Sequence, residues 1–365
     1  MQRLVKATID LPALRRNYAL ARCRADGRQV WPVVKADAYG HGMFEVARAL
    51  ADADGFCVAD LDEGLQLRVA GITQPILVIQ GVHSGAGLAA AAEAGLTLGV
   101  HGTEQLELIE KDASKLASGS LRLWLKIETG MHRLGLEAEK TLEAQDRLSG
   151  LAAVAELGLM THFACADSAD HPLTEAQATA FGRVALSAKG PTSACNSAAL
   201  LTGCYRNDTV VRPGIMLYGA SPLLGRSAAG LELAPVMTLH SRILAVKEVP
   251  AGCSVGYGAS WTASEDTRIG IVAVGYGDGY PRHAPSGTPV RVDGCEVHTL
   301  GRVSMDSLTV DLRRAAQVRV GDEVVLWGQG LAVDEVATAA GTIGYELLTG
   351  VSSRVPREYR VAEAT

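Results

Sequence analysis

The sequence predicts an α/β chain in two parts: an N-terminal (β/α)8 TIM-like barrel over residues 1–232 and a C-terminal mainly-β domain over residues 233–365. Three observations predict it. Eight short apolar, β-branched runs recur over roughly the first 220 residues with helical patterns between them, the arithmetic of an eight-stranded barrel. Polar side chains fitted for chemistry, at Lys35, Lys126, His162, Asn196 and Arg212, fall at or just beyond the C-terminal ends of those runs, which is the rim where barrels hold their sites. Past residue 233 the helical period nearly vanishes and short strands follow one another directly. A doubly wound open sheet uses similar strands, and periodicity does not separate the two; the strand count and the rim residues favour the barrel.

In chain order, Asp10 caps a helix with Leu11, Leu14 and Tyr18 on one face and Pro12 in its first turn. The strand runs are residues 31–34, 55–58, 76–79, 96–100, 121–127, 157–163, 192–195 and 209–212. Glycines stop the intervening helices at Gly71 and Gly95. Thr174 followed by Gln177 reads as a capping box ahead of a helix over 178–186. The second part reads as strands at 237–247, 268–274, 289–292, 296–299, 308–311 and 323–327. Turns at 250–252, 284–287, 293–294 and 320–322 separate them, and one late helix covers 333–340.

Composition narrows the function. With 34 Lys+Arg against 40 Asp+Glu the net charge is −6, which lacks the basic excess of a nucleic-acid binder. The apolar stretches are strand-sized or broken by charge, too short for a membrane span, and the N-terminus carries no signal-like apolar segment. Seven cysteines at wide spacing, without a C-x-x-C pair, argue against structural zinc and a disulfide framework; no metal is expected, and a cytoplasmic setting is.

The segment Val33-Val34-Lys35-Ala36-Asp37-Ala38-Tyr39-Gly40-His41-Gly42 ends a buried strand directly in a lysine. Desolvation lowers an ammonium's pKa and frees the amine to form a Schiff base with an aldehyde; a solvated rim lysine is the alternative. His162 ends its own strand, as a site residue or a hydrogen-bonded core histidine. Asn196-Ser197 offers phosphate donors at a helix start, or an ordinary cap. Arg212-Pro213-Gly214-Ile215 puts a guanidinium on the rim, then a glycine that admits close backbone approach; a structural ion pair is the alternative. Lys126 and Arg133 bring two cations near one strand end, which repel unless an anion lies between them. Tyr257 sits between glycines in 255–259, as does Tyr276 in 274–280, both as loop tips or turns.

Together with Thr161-His162-Phe163-Ala164, Gly301-Arg302-Val303-Ser304-Met305-Asp306 and Arg354-Val355-Pro356-Arg357, these segments resemble the alanine racemase family in order and over the full length. The resemblance implies a cytoplasmic homodimer that uses pyridoxal 5'-phosphate to interconvert L- and D-alanine, feeding D-alanine to cell-wall peptidoglycan. It implies that Lys35 carries the cofactor. Tyr39, Asn196, Ser197, Gly214, Ile215 and Tyr345 would bind it, with His162 packed on its ring and Arg212 facing its ring nitrogen. Lys35 and Tyr257 would be the two bases. Arg133 and the Met305 N–H would take the substrate carboxylate, with Tyr257 and Met305 reaching in from a second subunit. Lys126 matches a position that is often carbamylated. Glu128 and Cys195 depart from the family pattern, where aspartate and a small or polar residue are usual. A racemase of broader range, acting on serine for example, and a decarboxylase built on the same cofactor are the alternatives.

Overall fold

The computed structural model describes residues 3–168 and 170–361. A six-stranded parallel sheet runs through Phe56–Val58, Ile76–Val78, Thr97–Val100, Leu121–Lys126, Val154–Met160 and Thr192–Ser193 in chain order. Gln29–Val30 and Val210–Val211 pair with each other and close the ring. Val34 N–H reaches Cys57 O at 2.8 Å on one side, and Arg212 N–H reaches Cys195 O at 2.9 Å on the other. Phe56–Val58, Ile76–Val78 and Thr97–Val100 are buried throughout, as parallel strands are when helices cover them outside and side chains fill them inside, whereas the first half of Val154–Met160 is half-buried or exposed. Trp31 and Trp124 stack at 5.1 Å near the bottom, and Gly158 makes room for them: a Cβ there would meet the Trp124 ring at 2.7 Å.

The second sheet is antiparallel except at one edge. Strands Thr267–Val272, Leu308–Asp311, Cys295–Leu300, Pro289–Val292, Glu323–Trp327 and Met237–Val249 follow in that order, and Met237–Val249 also pairs with Thr267–Val272. This closes a small barrel. The thirteen-residue strand Met237–Val249 serves two neighbours because it bends at a bulge between Ile243 and Ala245. Helix Val333–Ala340 stands where the sequence puts it, and a further helix, Gly344–Gly350, follows.

Three elements differ from the sequence reading. The strand expected at 31–34 is Gln29–Val30, with an isolated bridge from Val33 to Cys57 beyond it. Lys6–Asp10, which falls within 1–232, lies in the second sheet between Met237–Val249 and Arg357–Arg360. Alternation of buried and half-buried residues suits it to a sheet with one covered face, unlike barrel strands such as Phe56–Val58 and Thr97–Val100 that are buried throughout. Asp10 then caps helix Leu11–Ala25 as expected, accepting from Ala13 N–H at 2.8 Å. The helix expected at 178–186 is Pro172–Ala185, with His171 as its cap. Pro172 supplies the first turn, so Thr174 and Gln177 lie inside the helix and are buried. The Gln177 amide instead donates to Thr129 Oγ1 and His162 O and accepts from Ala164 N–H, tying helix to rim.

Candidate active site

Eleven of the thirteen residues singled out from the sequence line one cavity of about 730 Å³ at the C-terminal ends of the barrel strands: Lys35, Tyr39, Lys126, Arg133, His162, Asn196, Ser197, Arg212, Gly214, Ile215 and Tyr345. Tyr257 and Met305 do not. They are 71% and 52% exposed, on loops of the second domain.

Lys35 leaves the strand end into a left-handed turn. Ala36, Asp37, Ala38 and Tyr39 all have φ near 53°. Non-glycine residues pay about 1–2 kcal/mol each for that conformation, and such strain collects where a site requires it. The turn directs Tyr39 across the cavity floor. Its ring stacks on Tyr218 at 4.8 Å, and Tyr218 donates to Val33 O at 2.8 Å. A side chain at position 214 would crowd the cavity end, because a Cβ would stand 2.5 Å from the Tyr39 hydroxyl. Ser197 Oγ accepts from Gly214 N–H at 2.8 Å and from Met216 N–H at 3.4 Å. The serine hydroxyl hydrogen is thereby left to point elsewhere, and Tyr39, Ser197, Gly214 and Ile215 gather at one end of the cavity.

Asn196 serves both of its readings. Its Oδ1 caps Ala199 N–H at 3.0 Å while it lines the cavity, with Nδ2 3.4 Å from His162 Nε2. That contact requires His162 Nε2 to accept, and burial with four nearby cations drives the imidazole well below its ordinary pKa. Arg212 is buried and, among the described residues, has no ion pair. It donates to Thr161 O at 2.7 Å and to the Ser193 hydroxyl.

The electrostatic character is one-sided. Lys35, Lys126, Arg133 and Arg212 line the cavity against one lining carboxylate, Glu346, which accepts from the Thr342 hydroxyl. Burial lowers the Lys35 pKa, Arg133 adds to this, and Glu63 opposes it. Lys126 is pushed down to about 8, first by burial and then by Arg133, Arg212 and Lys35. Glu128 does not neutralise them. Its carboxylate folds back onto the backbone N–H groups of Gly130, Met131 and His132, at 2.5 Å for Gly130. The cavity is therefore built for an anionic guest that a reactive amine can reach.

Two neighbours of the turn escaped the sequence reading. Glu63 accepts from Ala36 N–H and His41 reaches two carbonyls of the turn. His41 stands within a segment already singled out, but nothing in the sequence ties Glu63 to a backbone twenty-seven residues away.

The family models described as "Alanine racemase, N-terminal domain" and "Alanine racemase, C-terminal domain" match residues 9–222 and 236–359. The chain belongs to the alanine racemase family. It is 49% identical to the biosynthetic alanine racemase of Pseudomonas aeruginosa, over 97% of this chain and 98% of that one. It is also 49% identical to an alanine racemase of Thioalkalivibrio sulfidiphilus, over 98% and 99%. The crystal structure of the biosynthetic alanine racemase from Pseudomonas aeruginosa superposes with a TM-score of 0.95 at 48% identity, over 99% of this chain and all of that one. That of alanine racemase from Acinetobacter baumannii gives 0.91 at 39%, over 98% and all. Within this alanine racemase family the α/β fold of barrel and β domain is shared end to end, as the motif resemblance implied.

Proposed function

We propose that this chain interconverts L- and D-alanine using pyridoxal 5'-phosphate anchored on Lys35, with each active site completed by Tyr257 and Met305 of a second copy. The observation that carries this reading is the cavity itself: four cations against a single lining carboxylate, Glu346, around a strand-end lysine whose amine burial makes reactive. The residues fit the cofactor's chemistry. Arg212 and the lysines supply positive charge for a phosphate-bearing anion, Gly214 keeps backbone clear where a side chain would collide with Tyr39, and Ser197 keeps a hydroxyl hydrogen to give.

When bound, the cofactor supplies a conjugated ring that draws electron density from the substrate Cα, which makes the Cα proton removable. Everything else falls to this chain's residues. The Tyr39–Ser197–Gly214–Ile215 end holds the phosphate, with Tyr345, 6.1 Å from Tyr39, beside it. His162, kept neutral, packs as a flat uncharged face. Arg212 offers the ring nitrogen a hydrogen bond, and its guanidinium, itself tied to Thr161 O, does not surrender a proton near neutral pH. Arg133 takes the alanine carboxylate together with the Met305 N–H. The Met305 carbonyl is already committed to Gly277 N–H at 2.9 Å, which fixes the loop.

Inversion requires a proton to leave one face of Cα and another to arrive on the opposite face. Lys35 Nζ handles the D-side proton and Tyr257 Oη the L-side proton. Burial and Arg133 lower the Lys35 pKa, which favours its free amine as a base. We place the reaction in the cytosol, where the seven cysteines, all unpaired, stay reduced; no described helix is long and apolar enough to cross a membrane. D-alanine made there is available to cell-wall peptidoglycan. The test is borohydride reduction of the cofactor-loaded protein followed by peptide mass analysis, beside a racemisation assay. The cofactor's mass is expected on Lys35, with both mass and turnover absent from Lys35→Ala. A wild-type protein that racemises alanine without that adduct would sink the reading.

A further inference from the structure

The left-handed turn joining Lys35 to Tyr39 contains no glycine, so something outside it must hold it. The Glu63 carboxylate, from helix Leu61–Val69, takes Ala36 N–H on one oxygen at 2.7 Å and Ala59 N–H on the other at 2.7 Å. It thus spans the first strand end and the second. Asp37 takes Met43 N–H at 2.7 Å. The His41 Nδ1 lies 3.0 Å from Ala38 O and 2.9 Å from Tyr39 O. Only Nδ1–H can serve two carbonyls, so the tautomer is fixed. His41 is fully buried, its Nε2 meets no partner among the described residues, and its ring lies 4.6 Å from Tyr218, on which Tyr39 also stacks. Burying an unpartnered ring nitrogen is costly, which sets this histidine apart from a filler.

We propose that Glu63 and His41 are positioning residues that clamp the two ends of this turn, Glu63 aiming Lys35 and His41 aiming Tyr39 into the cavity. Ala36 is the first peptide after Lys35, so the carboxylate on its N–H sets the direction in which the lysine leaves the strand. The imidazole holds the carbonyl of Tyr39 itself. Relaxation to a right-handed turn would lift Tyr39 off Tyr218 and away from Gly214. The surroundings leave little slack: a Cβ on Gly40 would stand 2.3 Å from Leu348 O, and Arg357 Nε donates to Gly40 O at 3.2 Å.

This rests on Lys35 being the cofactor anchor, so two readouts are used. One is amide hydrogen exchange over residues 36–42 in the full-length chain without cofactor. The other is the rate at which added pyridoxal 5'-phosphate becomes fixed to Lys35, trapped by borohydride and counted by peptide mass. Glu63→Ala and His41→Leu are each expected to speed exchange and slow attachment about tenfold, while circular dichroism stays that of the wild type. His41→Asn, whose side-chain N–H reaches where Nδ1 stands, is expected to recover most of both. Wild-type exchange and attachment in a folded Glu63→Ala would overturn the proposal. So would a folded His41→Asn as impaired as His41→Leu. Should His41→Leu fail to fold, Glu63→Ala decides. If the wild type itself takes no cofactor at Lys35, the anchor assignment falls, and exchange at Ala36 still decides the clamp.

Discussion

At the scale of single residues, the site is governed by what positive charges do when crowded. Lys126, at about 8, keeps roughly a tenth of its amine neutral at pH 7, and a neutral amine adds carbon dioxide to give a carbamate with release of one proton. That anion would sit among Arg133, Arg212 and Lys35, the groups that depress the lysine. Lys126→Met is expected to raise the KM for alanine about tenfold with a smaller fall in kcat, since Arg133 loses the anion that steadies it. A carbon-13 resonance from labelled bicarbonate, present in the wild type and missing from the variant, checks the cause. Equal resonances in both would exclude Lys126. Gly214→Ala probes the other end. The new methyl group needs the space of the Tyr39 hydroxyl, 2.5 Å away, so cofactor affinity should fall at least about tenfold while thermal stability changes little. Calorimetric titration of the protein with pyridoxal 5'-phosphate measures it.

At the scale of elements, most barrel strands were legible because they are short, mainly apolar runs, several of which lead into a polar rim residue, as at Leu125–Lys126 and Met160–His162. Lys6–Asp10 was not, because five alternating residues carry no signal of which sheet they join. The start of Pro172–Ala185 was missed because Thr174 and Gln177 mimic a capping box, while Gln177 in fact serves the rim. Within the site, residue types could be read but their mutual neighbours could not. Glu63 acts through a backbone amide remote in sequence, and the left-handed turn shows in no propensity, since Ala, Asp and Tyr ordinarily avoid it. One buried side chain joins the two domains. Asn17, on helix Leu11–Ala25, donates to Leu217 O at 3.0 Å and Ala234 O at 2.8 Å and accepts from Ala234 N–H at 2.9 Å. Asn17→Ala leaves the buried Leu217 carbonyl and the half-buried Ala234 groups without this partner, and a loss of about 1–3 kcal/mol in urea unfolding is expected. A change below about 0.5 kcal/mol would mean that the junction is held elsewhere.

At the scale of the whole molecule, burying neutral histidines makes the cofactor-free chain sensitive to acid. His41 is lowered to about 4 and His162 falls well below its ordinary value, both chiefly by burial. The unfolded chain takes up these protons near pH 6.5 and the folded chain does not, so stability falls as pH drops below about 6.5. His41 alone contributes a loss of about 3 kcal/mol by pH 4, and urea midpoints compared at pH 7.5 and 5 should show the decline, shallower in His41→Asn. Assembly poses the larger question, because Tyr257 and Met305 lie outside the cavity of their own chain. If a symmetric dimer supplies them, Lys35→Ala and Tyr257→Phe disable different halves of each site. A mixed dimer then holds one site with both substitutions and one site with neither. Random exchange makes half of all dimers mixed, so an equimolar mixture of two inactive variants should regain about a quarter of wild-type racemisation. Were each chain to fold Tyr257 onto its own Lys35, every site would carry one lesion, and the mixture would stay as inactive as its parts.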